Sequence, residues 1–245
     1  MLTAHIRFYQ ELNFFLEPVK RKRTFKIQYA PRTTVKALIE NLGVPHTEVD
    51  LILVGSISMD FNYLIQEGDR ISVYPVFESF DISTLSKVRP QSLRVIKFVL
   101  DVHLGTLAVK LRMVGFDSKY QNDYPDEDLA KISKNENRIL LTRDRGLLKR
   151  KLVTHGYCIK SKNVSEQLKE VIKRFDLASS FSPFTYCVKC NTSLKDITMQ
   201  SIQDRVPQIV FQKYNNYKTC PNCNKIYWQG SHWQDMQRLL KSLKI

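Results

Sequence analysis

LRVIKFVLDVHLGTLAVKLRMVGF, residues 93–116, decides the fold class. An apolar run ends in Asp101. A helical pattern follows at once, with Leu104, Leu107, Ala108, Leu111 and Val114 at the three- and four-residue spacing of one helix face. The stretch reads as a strand feeding a helix, and the alternation returns downstream. DEDLAKISKN (126–135) reads as a short helix, RILLTRD (138–144) as a strand, RGLLKRKLVTHG (145–156) as a helix and VSEQLKEVIKRFDL (164–177) as a longer one. Such alternation argues for a parallel sheet with helices packed against it. Ligands bind such sheets at the carboxyl ends of strands and the adjacent helix starts. Three aspartates fall there. Asp101 ends the first strand, Asp126 opens a helix, and Asp144 ends the second strand between Arg143 and Arg145.

Toward the amino terminus the pattern becomes a small mixed sheet. AHIRFYQEL (4–12) and RTFKIQYA (23–30) read as strands of a hairpin joined through the basic turn EPVKRKR (17–23). TTVKALIENLGV (33–44) reads as a helix, with Thr33 or Thr34 as N-cap and Gly43 just past its end. VDLILVGSISM (49–59) and DRISVYPVF (69–77) supply further strands, with EGD (67–69) as the turn between them. Two strands, a helix and two or three strands make the β-grasp order. ESFDISTLSKVRPQS (78–92) loses periodicity and reads as a linker. The domain reading is therefore 1–80 β-grasp, 81–92 linker, 93–181 α/β domain, and 182–245 a cysteine-rich module with a C-terminal helix.

The chain carries 38 Lys and Arg against 24 Asp and Glu, a net charge of +14. Residues 1–90 are nearly balanced, at about 11 basic and 10 acidic side chains. The excess lies in 91–181 (about 18 against 11) and 182–245 (about 9 against 3). Those segments suit a polyanionic partner, since net charge governs association rather than fold. No apolar run approaches a membrane span, and MLTAHIRFYQ lacks the apolar core of a secretory signal. A reducing, cytoplasmic compartment without membrane association is the expectation.

Cys187-Val-Lys-Cys190 and Cys220-Pro-Asn-Cys223 are the strongest local signal. Each C-x-x-C turn supplies two thiolates, and two such turns close a tetrahedral Zn²⁺ site. The stretch between them is longer than in the simplest zinc ribbon, so a hairpin or extended loop must bridge it. A closed Cys₄ site is structural and leaves no open position for catalysis. Redox use of the pairs is the competing reading. Cys158 stands apart and reads as a small buried hydrophobe. Around the second knuckle lie Lys225, Tyr227, Trp228, His232 and Trp233. Aromatics interleaved with base suit single-stranded RNA, whose bases stack on rings. A zinc module short of core uses the same residues to build one. Trp228 fits the second role; Trp233 and Lys225 remain RNA-contact candidates.

Each aspartate also has an ordinary reading. Asp126, Glu127 and Asp128 follow Pro125 and complement a helix dipole. Asp144 can cap the turn that follows it. Asp101 is harder to dismiss, because a carboxylate at a buried strand end is costly unless paired or metal-bound. Together the three would suit a hard divalent cation with oxygen ligands. Arg143 and Arg145 can clamp flanking phosphates bidentately, or sit in surface ion pairs of little consequence.

FVLDVHLGTLAVKLRMVGFD, YQNDYPDEDLAKI, RILLTRDRGLLKR, CVKCNTSL and CPNCNKIYWQGSHW, in that order over roughly residues 93–237, resemble the Mut-seven C-terminal RNase domain, a relative of the PIN nucleases. The resemblance implies a PIN-like α/β fold with a C-terminal zinc ribbon. It also implies a Mg²⁺- or Mn²⁺-dependent ribonuclease whose acids fall on Asp101, Asp126 and Asp144, with Asp123 and Glu127 as alternates for the middle position. Arg112, Arg143, Arg145, Lys225 and Trp233 are the candidate RNA contacts. Two departures stand out. Thr106 and Val109 occupy first-helix positions that are often basic in the family, and Arg145 and Gly146 follow Asp144 where PIN nucleases often carry a fourth acid. Residues 33–77 look like the ubiquitin-like domain found ahead of this RNase domain, and more distantly like small sulfur carriers. The carriers' terminal Gly-Gly is missing, so a docking or stabilising module, with a protein partner as one use, is the expected role.

The leading expectation is an RNA phosphodiesterase acting on RNA such as tRNA, rRNA or another structured RNA. A non-catalytic RNA- or ribosome-binding protein on the same fold is the alternative. A zinc-bearing protein adaptor is the third reading.

Overall fold

The computed structural model describes residues 1–75, 85–88, 95–230, 233–234, 237–238 and 241. Most of the expected linker, His232 and most of the expected C-terminal helix lie outside the described residues. The chain forms two compact units, Met1–Val95 with Pro125–Cys158, and Ile96–Tyr124 with Ile159–Ile245.

In the first unit β1 (Leu2–Phe8) buries every second residue, Ala4, Ile6 and Phe8, on one face of a sheet. It pairs antiparallel with β2 (Phe25–Tyr29), Leu2 facing Tyr29. The connection differs from the expected hairpin. Strand character ends at Phe8, and Gln10–Phe15 forms a 3₁₀ helix that buries Leu12 and Phe15. Buried Asn13 fixes this turn: its Nδ2 donates to the Phe8 and Gln10 carbonyls at 3.0 and 2.9 Å, and its Oδ1 accepts from Lys22 N at 2.6 Å. Helix α1 (Val35–Asn41) is capped by Thr34, whose hydroxyl accepts from Ala37 N at 3.2 Å. Gly43, at φ +96, ends it. Strands β3 (Val49–Val54), β4 (Ile57–Ser58) and β5 (Arg70–Pro75) complete a sheet of order β2-β1-β5-β3-β4, with β1 and β5 parallel at its centre. This is the β-grasp arrangement.

The second unit begins with β6 (Phe98–Leu100), fully buried, then α2 (Gly105–Met113) and β7 (Ser118–Lys119) parallel to β6. Leu104, Leu107, Ala108, Leu111 and Val114 are all buried, as their spacing requires. Gly115 turns the chain at φ +102.

Back in the first unit, α3 (Asp126–Asn135) leads to β8 (Ile139–Thr142), α4 (Arg145–Leu148) and β9 (Gly156–Cys158), which runs parallel to β8. The helix expected over 145–156 stops after Leu148. Leu147, Leu148 and Val153 are all buried, and a continuous helix would spread them around its circumference. The chain instead folds back in tight turns, with Lys149 N on Gly146 O at 3.1 Å and Val153 N on Arg150 O at 3.0 Å. This segment is tied to the β-grasp residues. His46 Nε2 lies 2.8 Å from Val153 O, Lys149 Nζ donates to Glu40 O at 2.6 Å, and Cys158 N donates to buried Glu48 Oε1 at 2.6 Å. Cys158 is buried, as expected.

The second unit resumes with α5 (Val164–Arg174), capped by Asn163 Oδ1 on Ser165 N and Glu166 N. It closes with β10 (Lys195–Ile197), α6 (Gln208–Lys213), β11 (Tyr217–Thr219) and β12 (Ile226–Trp228). The three strands form an antiparallel sheet of order β10-β11-β12.

Candidate metal centre and acidic residues

The long stretch between the cysteine pairs is filled by β10, α6 and β11, which enclose a small core of Ile202, Val206 and Tyr217. Trp228 packs against that core, the structural role its sequence context suggested. The two knuckles share one backbone design. Cys187 N donates to Thr192 O at 2.8 Å and Asn191 N to Cys187 O at 2.9 Å; Cys220 N donates to Lys225 O at 3.0 Å and Asn224 N to Cys220 O at 2.9 Å. Asn191 and Asn224 sit at φ +66 and +56, a conformation Asn tolerates better than most residues. The repeated C-x-x-C-N carried that signal in the sequence.

The knuckles bring their sulfurs together. Cys187 Sγ lies 3.5 Å from Cys223 Sγ, Cys190 Sγ 3.4 Å from Cys220 Sγ, and all four fall within 4.8 Å of one another. Four thiolates at about 2.3 Å from Zn²⁺ stand roughly 3.8 Å apart, so the set fits a tetrahedral ion. Among the described residues this is the one group of three or more such side chains so gathered. Burial pushes the Cys190 thiol up, but hydrogen bonds from Thr192, Asn222 and Cys220 outweigh it and bring it down to about 5. Cys223 moves the other way, to about 12. The Lys225 backbone favours its thiolate, but burial and the neighbouring sulfurs of Cys187, Cys220 and Cys190 prevail.

Arg112, on α2, is turned inward and only 3% exposed. Its Nε donates to Ser118 O at 2.8 Å, and its Nη1 to the carbonyls of Val188 and Lys189 at 3.1 Å each, between the first pair of cysteines. Burial lowers its pKa, opposed by the sulfurs of Cys187 and Cys190. The guanidinium is a brace for the knuckle, a role the sequence did not reveal. Asn191 adds a second tie: its Nδ2 reaches Asp117 Oδ1 at 2.5 Å and its Oδ1 accepts from Ser118 N at 2.8 Å. Lys225 is exposed, with its Nζ 5.8 Å from the Tyr227 ring centroid, and Trp233 meets Phe184 edge to face at 4.8 Å.

The aspartates divide between the two compact units. Asp101, in the second, follows β6 directly, is 7% exposed, and accepts from Val102 N at 2.6 Å. In the first, Asp126 opens α3 and its Oδ2 lies 3.4 Å from Arg150 Nη2. Asp144 is exposed and caps α4, accepting from Gly146 N at 2.6 Å. Asp123 is exposed, and Glu127 pairs with Lys131 at 2.6 Å. Arg143 is exposed. Arg145 packs over Phe14 and Phe15 at 5.1 and 5.0 Å and donates to Phe15 O at 3.3 Å.

Comparison with known families supplies what geometry alone does not. The Mut7-C RNAse domain matches residues 96–240, more than half of the chain. The chain belongs to this family. Residues 1–81 match the Mut7-C ubiquitin domain, in agreement with the β-grasp sheet. No curated protein and no solved structure matches the chain. The order of the two matches is the order in which the sequence motifs occur. Among the described residues no helix is long and apolar enough to cross a membrane.

Proposed function

We propose that this Mut7-C protein is a metal-dependent RNA phosphodiesterase with a PIN-like catalytic domain, working in a reducing, cytoplasmic compartment. The match of residues 96–240 to an RNase domain carries the reading. Its support in this chain is the station of each acid: Asp101 directly after a buried strand, Asp144 two residues after another, and Asp126 at a helix start. In α/β sheets such stations face ligand. Asp101, Asp126 and Asp144 would hold Mg²⁺ or Mn²⁺. The ion, when bound, polarises a phosphoryl oxygen and lowers the pKa of its water. Arg143, exposed next to Asp144, would meet a phosphate of the substrate. The Cys₄ group supplies structural Zn²⁺, and basic surfaces hold RNA by counterion release. The ubiquitin-like domain, lacking the carriers' Gly-Gly, is assigned to docking a protein partner.

A second reading, an RNA-binding protein without catalysis, draws on specific contacts: Asp126 is engaged by Arg150, and Asp144 serves as a cap. Asp144→Asn separates the two. Asn caps about as well as Asp, so the fold is kept while one charge is removed. Mn²⁺-dependent cleavage of a mixed RNA pool should fall at least about 100-fold, since metal-centred stabilisation supplies several kcal/mol. Binding without divalent ions should persist. Equal cleavage by parent and variant, or none by either, assigns the chain to the non-catalytic reading.

A further inference from the structure

We infer that the zinc-bearing unit holds a nucleobase pocket, in which Arg112 meets the acceptor edge of an unstacked base and Lys225 its phosphate. The inference takes its ligand class from the RNA-directed reading and is independent of cleavage. The pocket has a volume of about 340 Å³ and is lined by Arg112, Phe184, Lys225, Tyr227, Trp228 and Trp233 among others. That is the size and the aromatic character of sites for small planar ligands. Its walls are braced: Phe184 meets Trp233 at 4.8 Å and Tyr227 at 6.4 Å, edge to face in both cases. Trp228 is anchored from behind by the Ile202 cluster.

The polar groups narrow the guest. Arg112 uses Nε and Nη1 on the carbonyls of Ser118, Val188 and Lys189. Among the described residues its Nη2 has no hydrogen-bond partner. Arg112 is 3% exposed as a residue and lines the pocket, and a guanidinium with an N–H group left over there favours a ligand that brings acceptors. Base edges present adjacent carbonyl and ring-nitrogen acceptors, which a guanidinium fork matches. Lys225 stands exposed at the same pocket, where the ribose-linked phosphate of a bound nucleotide would lie in water. Residues 182–245 carry about 9 basic against 3 acidic side chains, which favours a polyanion over an apolar peptide. Extruded bases of single-stranded RNA meet all three conditions, and they bind by stacking on rings.

The chain has two tryptophans and both line the pocket, so its tryptophan fluorescence reports occupancy directly. The test is a titration of the full-length zinc-loaded protein with nucleoside monophosphates, without added Mg²⁺ or Mn²⁺. Saturable quenching is expected, produced also by short single-stranded RNA and not by ribose 5-phosphate. Lys225→Ala should weaken the nucleotide about fivefold and leave the nucleoside unchanged, as loss of one phosphate contact requires. Leu194→Phe, which fills the pocket, should abolish quenching while the zinc content stays at one equivalent. No quenching at millimolar nucleotide, equal quenching by ribose 5-phosphate, or quenching by apolar peptides alone overturns the inference. Cleavage without quenching removes the pocket and leaves the phosphodiesterase; quenching without cleavage does the reverse.

Discussion

Tyr227 Oη lies 3.1 Å from Cys187 Sγ and accepts a hydrogen bond from Val188 N at 3.2 Å. Burial, followed by the Cys187 sulfur, raises the Tyr227 pKa, so the phenol stays protonated and keeps an O–H that can donate to the Cys187 sulfur. One side chain thus steadies a metal ligand and the backbone beside it. Tyr227→Phe keeps the ring and loses both bonds. Partners of metal ligands typically contribute 10–100-fold in affinity, so zinc affinity should fall about tenfold by chelator competition.

The metal-free protein should show an order of thiol reactivity. Cys190, brought down to about 5, is thiolate at neutral pH, whereas Cys223, pushed up to about 12, is thiol. The thiolate is the nucleophile. Brief alkylation at pH 7 followed by peptide mapping should find Cys190 modified well before Cys223, and zinc should protect both.

A chain beginning at Ile96 should fail to fold cooperatively. It loses the Glu48 carboxylate on Cys158 N, His46 on Val153 O and the Glu40 carbonyl on Lys149. A buried N–H left without its acceptor costs about 1–3 kcal/mol, before any loss of packing. Urea unfolding followed by circular dichroism, with size-exclusion chromatography, checks this. A sharp transition with full solubility would show the amino-terminal part to be separable.

Arg150→Ala distinguishes ion pair from metal ligand at Asp126. Both partners are about half exposed, so stability should change by less than about 0.5 kcal/mol. If Asp126 holds a cation, removing its competitor should lower the Mn²⁺ concentration needed for half-maximal cleavage.

Gly115→Ala should cost about 2–4 kcal/mol of unfolding free energy, measured by chemical denaturation. A Cβ there would meet Ser182 O at 2.2 Å, backbone that cannot swing aside, and the residue holds φ +102.

Much of this was legible because it follows from periodicity. The alternation of Ala4, Ile6 and Phe8, the five-residue face of α2, a threonine cap at 33 or 34 and the bounds of α3 needed no tertiary information. What escaped were places where distant backbone decides. Residues 145–156 have helix propensity throughout, but Leu147, Leu148 and Val153 had to be buried together. Gln10–Phe15 continues a strand-like run, yet Asn13 bends it by reaching Phe8 and Lys22. At the site, the C-x-x-C pairs announced themselves by spacing. Arg112 did not, because its partners are carbonyls 76 and 77 residues away, and a carbonyl leaves no mark in the sequence.

The grip of Arg112 on the first knuckle also sets a timetable for synthesis. Residues 96–124 leave the ribosome before the segment 125–158, which belongs to the other compact unit, and well before Val188 and Lys189 exist to receive the guanidinium. Chains of this kind carry contacts of high sequence separation that must wait for late residues. Until the second cysteine pair emerges and zinc is captured, the guanidinium at the carboxyl end of α2 lacks the two knuckle carbonyls that hold it in the folded protein. Cells starved of zinc should therefore accumulate this protein as an arrested, protease-sensitive intermediate with its amino-terminal sheet already formed, and not as an intact chain with a frayed tail.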